Sequence, residues 1–492
     1  MITFVLMAIL SAILLFIACA FALFFSPFGR KNGLKQWMLP AVFGIKVIVG
    51  LAYMQSTVWS NPNAHLETDT GAFLHEAKII NDVYSKSSSD YWKLMFGGGD
   101  QEALALKYLE ETKHWSSGDQ SFFNDHKNIL RTYAIVGLFS DNSDVTIVFF
   151  FALIGTLAIM LLYAGIRKLT GYPDLVILGV LVLIPSSLWW TSVPLKEPML
   201  VLGLATLFTG FFSKTPWKKA LLILTGLSLT LMFKSYVLLA VGFGAVVWGM
   251  FKILPKGKFW GSIGATIIIA VLGTLFIPGV DSLINRAARV QFDFDNVAKG
   301  GIHVDNGDGF YYFEEIQTHG LIIKNDSVQL RMVLRADKSE YGSMDTPESV
   351  KLEPDGTKWP IHFQNKRAES YIRIPRITTK EEFVLASQVA VANVLFRPTP
   401  GDPGSNLKIV AFAEMTGLLL VIIIGGIRRR KNNSIRWDLF AALLGGALAL
   451  AVIIGSITPV LGATVRYRLP IIIAFTLMAL LLRSQGKKQE HG

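Results

Sequence analysis

Hydrophobic positions along this chain gather into long unbroken runs, interrupted twice by extended polar stretches. The runs lie near Met1–Phe25, Met38–Tyr53, Val145–Ile166, Leu175–Thr191, Pro198–Phe212, Ala220–Phe233, Tyr236–Phe251, Gly261–Ile277, Ile409–Ile427, Leu439–Ile457 and Pro470–Leu482. Each is about long enough to cross a bilayer with ordinary tilt or local adjustment. The pattern predicts an all-α polytopic membrane protein of about eleven transmembrane helices. It divides into two N-terminal spans (1–54), a polar stretch (55–144), a six-span block (145–280), a second polar stretch (281–406) and three C-terminal spans with a basic tail (407–492).

The two polar stretches differ in period. In the first, Phe73, Leu74, Ala77, Ile80 and Val83 recur at helical spacing, with His75, Glu76, Lys78 and Asp82 on the other face. This predicts a helical loop domain whose amphipathic helix opens at Glu67-Thr68-Asp69. In the second, Val328, Leu330, Met332 and Leu334 alternate with Gln329, Arg331 and Arg335, Ile361 and Phe363 flank His362, and Ile372 and Ile374 flank Arg373. Alternation of this kind predicts a small β-rich insert, with Asp305-Asn306-Gly307-Asp308-Gly309 as a turn. Glu381 to Phe396 returns to an apolar, juxtamembrane helix.

Composition changes the picture little, but charge orients it. Over half of the residues are hydrophobic, 52%, and only 17% are charged, which excludes a soluble domain of this length. The surplus of 47 Lys and Arg over 36 Asp and Glu lies in short clusters between the runs, at Arg30/Lys31/Lys35, Arg167/Lys168, Lys214/Lys218/Lys219, Lys252/Lys256/Lys258, Arg428–Lys431 with Arg436, and Arg483/Lys487/Lys488. These occupy every second connection, as the positive-inside rule requires, so the basic balance reports topology and not nucleic-acid binding. The N-terminus is then outside, the C-terminus cytoplasmic, and both polar stretches are extracytoplasmic. The first run has no basic n-region and suits a retained span. Cys19 is the single cysteine, which excludes a disulfide or a thiolate metal cluster within one chain.

Several charges break this pattern. Lys46 lies within the second run, either snorkelling to the cytoplasmic side or facing the protein interior. Lys196, Lys234, Arg466 and Arg468 fall on the outer face, where short loops should be poor in cations. Each pairs either with a lipid headgroup, with a nearby carboxylate such as Glu197, or with a substrate. Arg466-Tyr467-Arg468 sets an aromatic ring between two guanidinium groups that can fork onto phosphate oxygens. Glu414, inside the ninth run, orients an arginine or neutralises a buried cation. Pro185 breaks the fourth run, and Trp189 and Trp190 suit a membrane interface. Asp69 stands at a helix mouth, as a cap, a catalytic carboxylate or both. No P-loop, dinucleotide fingerprint, zinc-spaced His pair or Gly-x-Ser-x-Gly elbow is present.

Three islands carry a family likeness: Glu67-Thr68-Asp69, the run Pro185 to Glu197 with Lys196, and Phe396-Arg397-Pro398 with the later Arg466-Tyr467-Arg468-Leu469-Pro470. Together they resemble the GT-C superfamily of integral-membrane glycosyltransferases, in particular poorly characterised bacterial members. The layout departs from the commonest one in that two spans precede the first outer loop, which leaves Glu67 as the alternative to Asp69. The resemblance implies transfer of a sugar from a polyprenyl-phosphate donor to a glycan, lipid or protein acceptor at the outer face of a bacterial plasma membrane. Asp69 would take the acceptor's proton, and Arg466, Tyr467 and Arg468, with Lys196, Glu197 and Arg397, would serve the phosphate. A divalent cation between Glu67, Asp69 and phosphate would also be compatible with the family. Two alternatives share the architecture: a polymerase or ligase acting on lipid-pyrophosphate glycans, and a non-enzymatic transporter or scaffold of the cell envelope.

Overall fold

The computed structural model describes residues 2–116, 124–254, 259–277, 279–305, 307, 309–340, 348–429 and 435–482. Asn306, Asp308, Lys256, Lys258, Arg430, Lys431 and the basic tail from Arg483 lie outside the described residues. Helix dominates, with one antiparallel sheet. Among the described residues, seven helices are long and apolar enough to cross a membrane, Leu10–Lys31, Met38–Trp59, Asp144–Leu169, Tyr236–Ile253, Phe259–Phe276, Leu407–Arg428 and Trp437–Ile457, and a bent pair, Leu461–Tyr467 with Leu469–Leu481, makes an eighth if counted as one span. The remaining apolar runs form shorter or more polar helices, Asp174–Leu183, Glu197–Phe211 and Pro216–Lys234. The chain divides into two compact units, residues 1–239 with 422–436 and 476–492, and residues 240–421 with 437–475.

In the first unit, Phe16 stacks on Phe43 and Phe149 packs edge-on against both where the first three apolar helices meet. Pro185 interrupts the fourth apolar run as its missing N–H requires: the helix Asp174–Leu183 stops, Ile184 is extended, and Pro185 starts a new turn to Trp190. The Ser187 hydroxyl donates to the carbonyl of Leu181 that a continuous helix would have satisfied (2.7 Å). The segment after this break enters the core. A Cβ on Gly155 would lie 1.8 Å from the Thr191 carbonyl oxygen, so only glycine allows the approach. Lys46 is buried and donates to the Thr191 hydroxyl, so it faces the interior and does not snorkel.

The second unit contains the seven-stranded sheet, ordered β3-β4-β7-β1-β2-β5-β6, from β1 (Gly301–Asp305), β2 (Gly309–Glu314), β3 (Leu321–Lys324), β4 (Ser327–Leu330), β5 (Leu334–Glu340), β6 (Glu348–Leu352) and β7 (Lys358–Asn365). All its pairings are antiparallel. One face closes over Ile302, Val304, Phe313, Val328, Leu330 and Leu334. The expected turn joins β1 to β2, with Asp305 paired to Phe310 and the Gly307 N–H held by the Asp305 carboxylate (2.8 Å). Met332 falls in the break between β4 and β5 and is exposed, so the alternation expected there spans two strands and not one. Ile372 and Ile374 belong to no strand of the sheet. They pack on Leu461, while the Ile372 N–H donates to the Pro459 carbonyl and the Leu461 N–H to that of Ser370.

Candidate functional site

The mouth of the helix Asp69–Lys86 is built by a short preceding turn, Ala64–Glu67. Gly71 allows that turn to lie against it, since a Cβ there would sit 2.3 Å from the Ala64 carbonyl oxygen. Thr68 is the N-cap, its hydroxyl accepting from the Gly71 N–H (3.0 Å). Asp69 is therefore the first helical residue and not the cap, and it is exposed at the helix mouth, where the helix dipole favours a carboxylate. Glu67 is exposed and accepts from the Asn61 amide (2.9 Å).

Behind Asp69 lies a network of charge. Phe73, Leu74, Ala77, Ile80 and Val83 are buried as expected, but Glu76 shares their side of the helix at 3% exposure. Its carboxylate accepts from His114, through both the ring Nδ1 (2.7 Å) and the backbone N–H (3.1 Å). The His114 ring stacks on His126 at 4.9 Å, with planes 12° apart, and Phe73 packs against both. Asn124 caps the helix Asp125–Leu138 that carries His126. From the other side, the chain emerging from the Pro185 break is tied down by the Tyr133 hydroxyl on the Pro194 carbonyl. This delivers Lys196 and Glu197 at the start of the helix Glu197–Phe211. Lys196 is buried and donates to Asp125 (2.8 Å), and Lys234 lies 3.7 Å from the buried Glu197.

The inner members of this network, Glu76, Lys196, Glu197 and Lys234, are buried, whereas Asp69, Asp125 and His126 form a rim open to solvent. Burial, followed by the charge of Lys196, pushes the pKa of His126 down to about 4, so the imidazole is neutral at neutral pH. Asp125 and Asp69 act on it in the opposite sense, which places Asp69 within electrostatic reach of His126. Burial pushes the Asp125 carboxyl up, but Lys196 and His126 more than offset this and hold it below the usual range. The rim thus combines the exposed Asp69, an Asp125 held in its ionised form and a neutral imidazole able to exchange hydrogen bonds. Among the described residues no group of three or more His, Cys, Asp or Glu is arranged to hold a metal ion.

The sequence reading brought Lys196, Glu197 and Lys234 to notice but missed Glu76, His114, Asp125 and His126. Glu76 could have been found, because it stands three residues after Phe73 and four before Ile80, on the apolar stripe itself.

The remaining candidates lie in the second unit. Arg468 is fully buried, and its guanidinium donates to the carbonyls of Val394 (3.2 Å), Arg397 (2.6 Å) and Ala411 (2.8 Å), in the field of Glu414. The expected fork onto phosphate is therefore divided: Arg468 has its terminal nitrogens committed to backbone, while Arg466 is half-buried with its guanidinium 6.0 Å from the centre of the Tyr467 ring. Arg397 lies 3.6 Å from Asp402. No protein-family model, curated protein or solved structure matches this chain.

Proposed function

We propose that the chain is an integral-membrane glycosyltransferase that moves a sugar from a polyprenyl-phosphate donor to an envelope acceptor at the outer face, in an eleven-span arrangement with the N-terminus outside and the C-terminus cytoplasmic. The observation that carries the reading is the rim of Asp69, Asp125 and His126 beside the buried Lys196 and Lys234. In this reading Asp69 accepts the proton of the acceptor hydroxyl as its oxygen bonds to the anomeric carbon. The bond from that carbon to the lipid phosphate breaks, and the phosphate departs with the electron pair. Lys196 and Lys234 supply positive charge beside the carboxylates. Among the described residues, Glu67 and Asp69 belong to no group of three or more side chains that could hold a divalent ion.

Transfer of a single sugar is preferred to polymerisation or ligation, because Arg468 is committed to backbone carbonyls and the two-arginine clamp for pyrophosphate loses one arm. The test is mass spectrometry of envelope glycans and lipid-linked sugars from a deletion strain complemented with wild type or with equally expressed Asp69→Asn. Wild type should restore a missing sugar and Asp69→Asn should not. Restoration by both removes Asp69 as the base, a missing unit the size of a whole repeat favours the polymerase or ligase, and an unchanged glycan profile favours the transporter or scaffold.

A further inference from the structure

The helix Lys380–Phe396 follows the sheet and the extended 370–377 segment, and at 17 residues it is about 25 Å long, short of a full hydrocarbon crossing. Its charges are confined to one end: Lys380 pairs with Asp281 (2.9 Å), and Glu382 accepts from the Thr378 N–H (2.8 Å). Everything after Glu382 is uncharged. The uncharged stretch is apolar apart from Ser387, Gln388 and Asn393, of which Gln388 is exposed, and so predominantly apolar a helix belongs either in a protein core or in lipid. This one is not enclosed: Ala386 and Ala390 are buried, yet Leu385 and Phe396 are 69% and 60% exposed, and Val389 faces out with them.

Two further features mark a water-free setting. Against the helix Trp437–Ile457 the contact is made through small residues, with a Cβ on Gly455 coming within 2.2 Å of the Ala390 carbonyl oxygen, the close backbone approach that helices use where no hydrophobic effect drives them together. At the other end, the last carbonyls of a helix have no partner within it and are ordinarily left to water. Here the carbonyls of Val394 and Arg397 are taken by the buried guanidinium of Arg468, which also reaches Ala411 on the membrane helix Leu407–Arg428. Backbone at membrane depth must be satisfied by protein in this way.

We propose that Lys380–Phe396 is a membrane-embedded helix, dipping into the bilayer beside the Trp437–Ile457 span, with Leu385, Val389 and Phe396 seated among lipid acyl chains. Lipid is the partner that the chemistry of Leu385, Val389 and Phe396 fits. The assignment does not depend on the glycosyltransferase reading.

The single cysteine makes the test direct. In a Cys19→Ser background, Leu385→Cys, Val389→Cys and Ala392→Cys are compared with Ser349→Cys on the exposed strand β6, in vesicles with the outer face accessible, each normalised to its labelling after denaturation. The helix positions should react with a membrane-impermeant maleimide at least about tenfold more slowly than Ser349→Cys. A fluorophore attached to them in detergent and reconstituted should be quenched by brominated acyl chains. Labelling as fast as that of Ser349→Cys overturns the proposal. Slow labelling without quenching by brominated lipid also overturns it, and identifies a protein partner on this face. Ala392→Cys sits on a small exposed residue and keeps the test decisive should either larger position fail to fold.

Discussion

Both units bury cations that the positive-inside pattern cannot explain, and they satisfy them in opposite ways. In the first unit, Lys196 and Lys234 are set against carboxylates, Asp125 and Glu197, beside a rim that reaches solvent. In the second, Arg468 is set against three carbonyl oxygens and is wholly enclosed. A lysine facing a carboxylate near an opening can exchange that partner for a ligand at modest cost, because both charges remain compensated. A guanidinium spread over three carbonyls has no such freedom, since leaving would strand several buried acceptors at once. The first arrangement is suited to chemistry and the second to holding helices together.

The largest effect that would sharpen this contrast is on activity. Asp69→Asn should lower transfer by about 10²–10⁴-fold, the usual range for a lost general base, while its thermal midpoint in detergent stays near that of wild type. An active Asp69→Asn would dissolve the catalytic half of the comparison. Next, Arg468→Ala should cost about 3 kcal/mol or more and sharply reduce recoverable folded protein. Arg468→Lys should rescue it only in part, because a compact ammonium cannot span the same acceptors. If Arg468→Ala instead melts like wild type and loses only use of the lipid donor, the arginine belongs to phosphate after all.

A smaller effect is expected at Glu76. Glu76→Gln keeps the shape but removes the charge that accepts from His114, and should lower stability by about 1–2 kcal/mol in thermal unfolding. The smallest concerns His126. Its folded pKa lies below the usual 6.5, so between about 6.5 and 4 the unfolded chain takes up a proton that the folded chain refuses. Stability should therefore decline as pH falls through that window, and the slope should be shallower in His126→Asn. Asp125 does not confuse the measurement, because its stabilising charge is lost only below the ordinary carboxylate value of 3.8. An unchanged slope in His126→Asn would remove this imidazole from the linkage.

What the sequence revealed follows from the range over which each signal acts. Apolar runs, the Pro185 break and the alternation around Val328 and Leu330 are local, and they locate the helices and the sheet. The charge of Glu76 points to the polar face, although its spacing from Phe73 puts it on the buried one. Only His114, brought from a distant turn, makes that burial tolerable. Arg468 was read with its sequence neighbours Arg466 and Tyr467, whereas its real partners lie on Val394, Arg397 and Ala411. Ile372 and Ile374 alternate as a strand would, yet their backbone is engaged by the 459–461 segment. Each of these depends on contacts between residues far apart along the chain, which periodicity cannot encode.

The tie made by Arg468 also bears on how the chain is assembled. Its acceptors are synthesised well before the arginine that holds them, so while the nascent chain is being inserted, the end of Lys380–Phe396 and the start of Leu407–Arg428 wait with carbonyls that only a later residue can satisfy. Insertion of the helix that follows Arg468 is then the locking step of biogenesis for this unit. A chain truncated after residue 429 would keep every one of those carbonyls and lack the guanidinium that satisfies them.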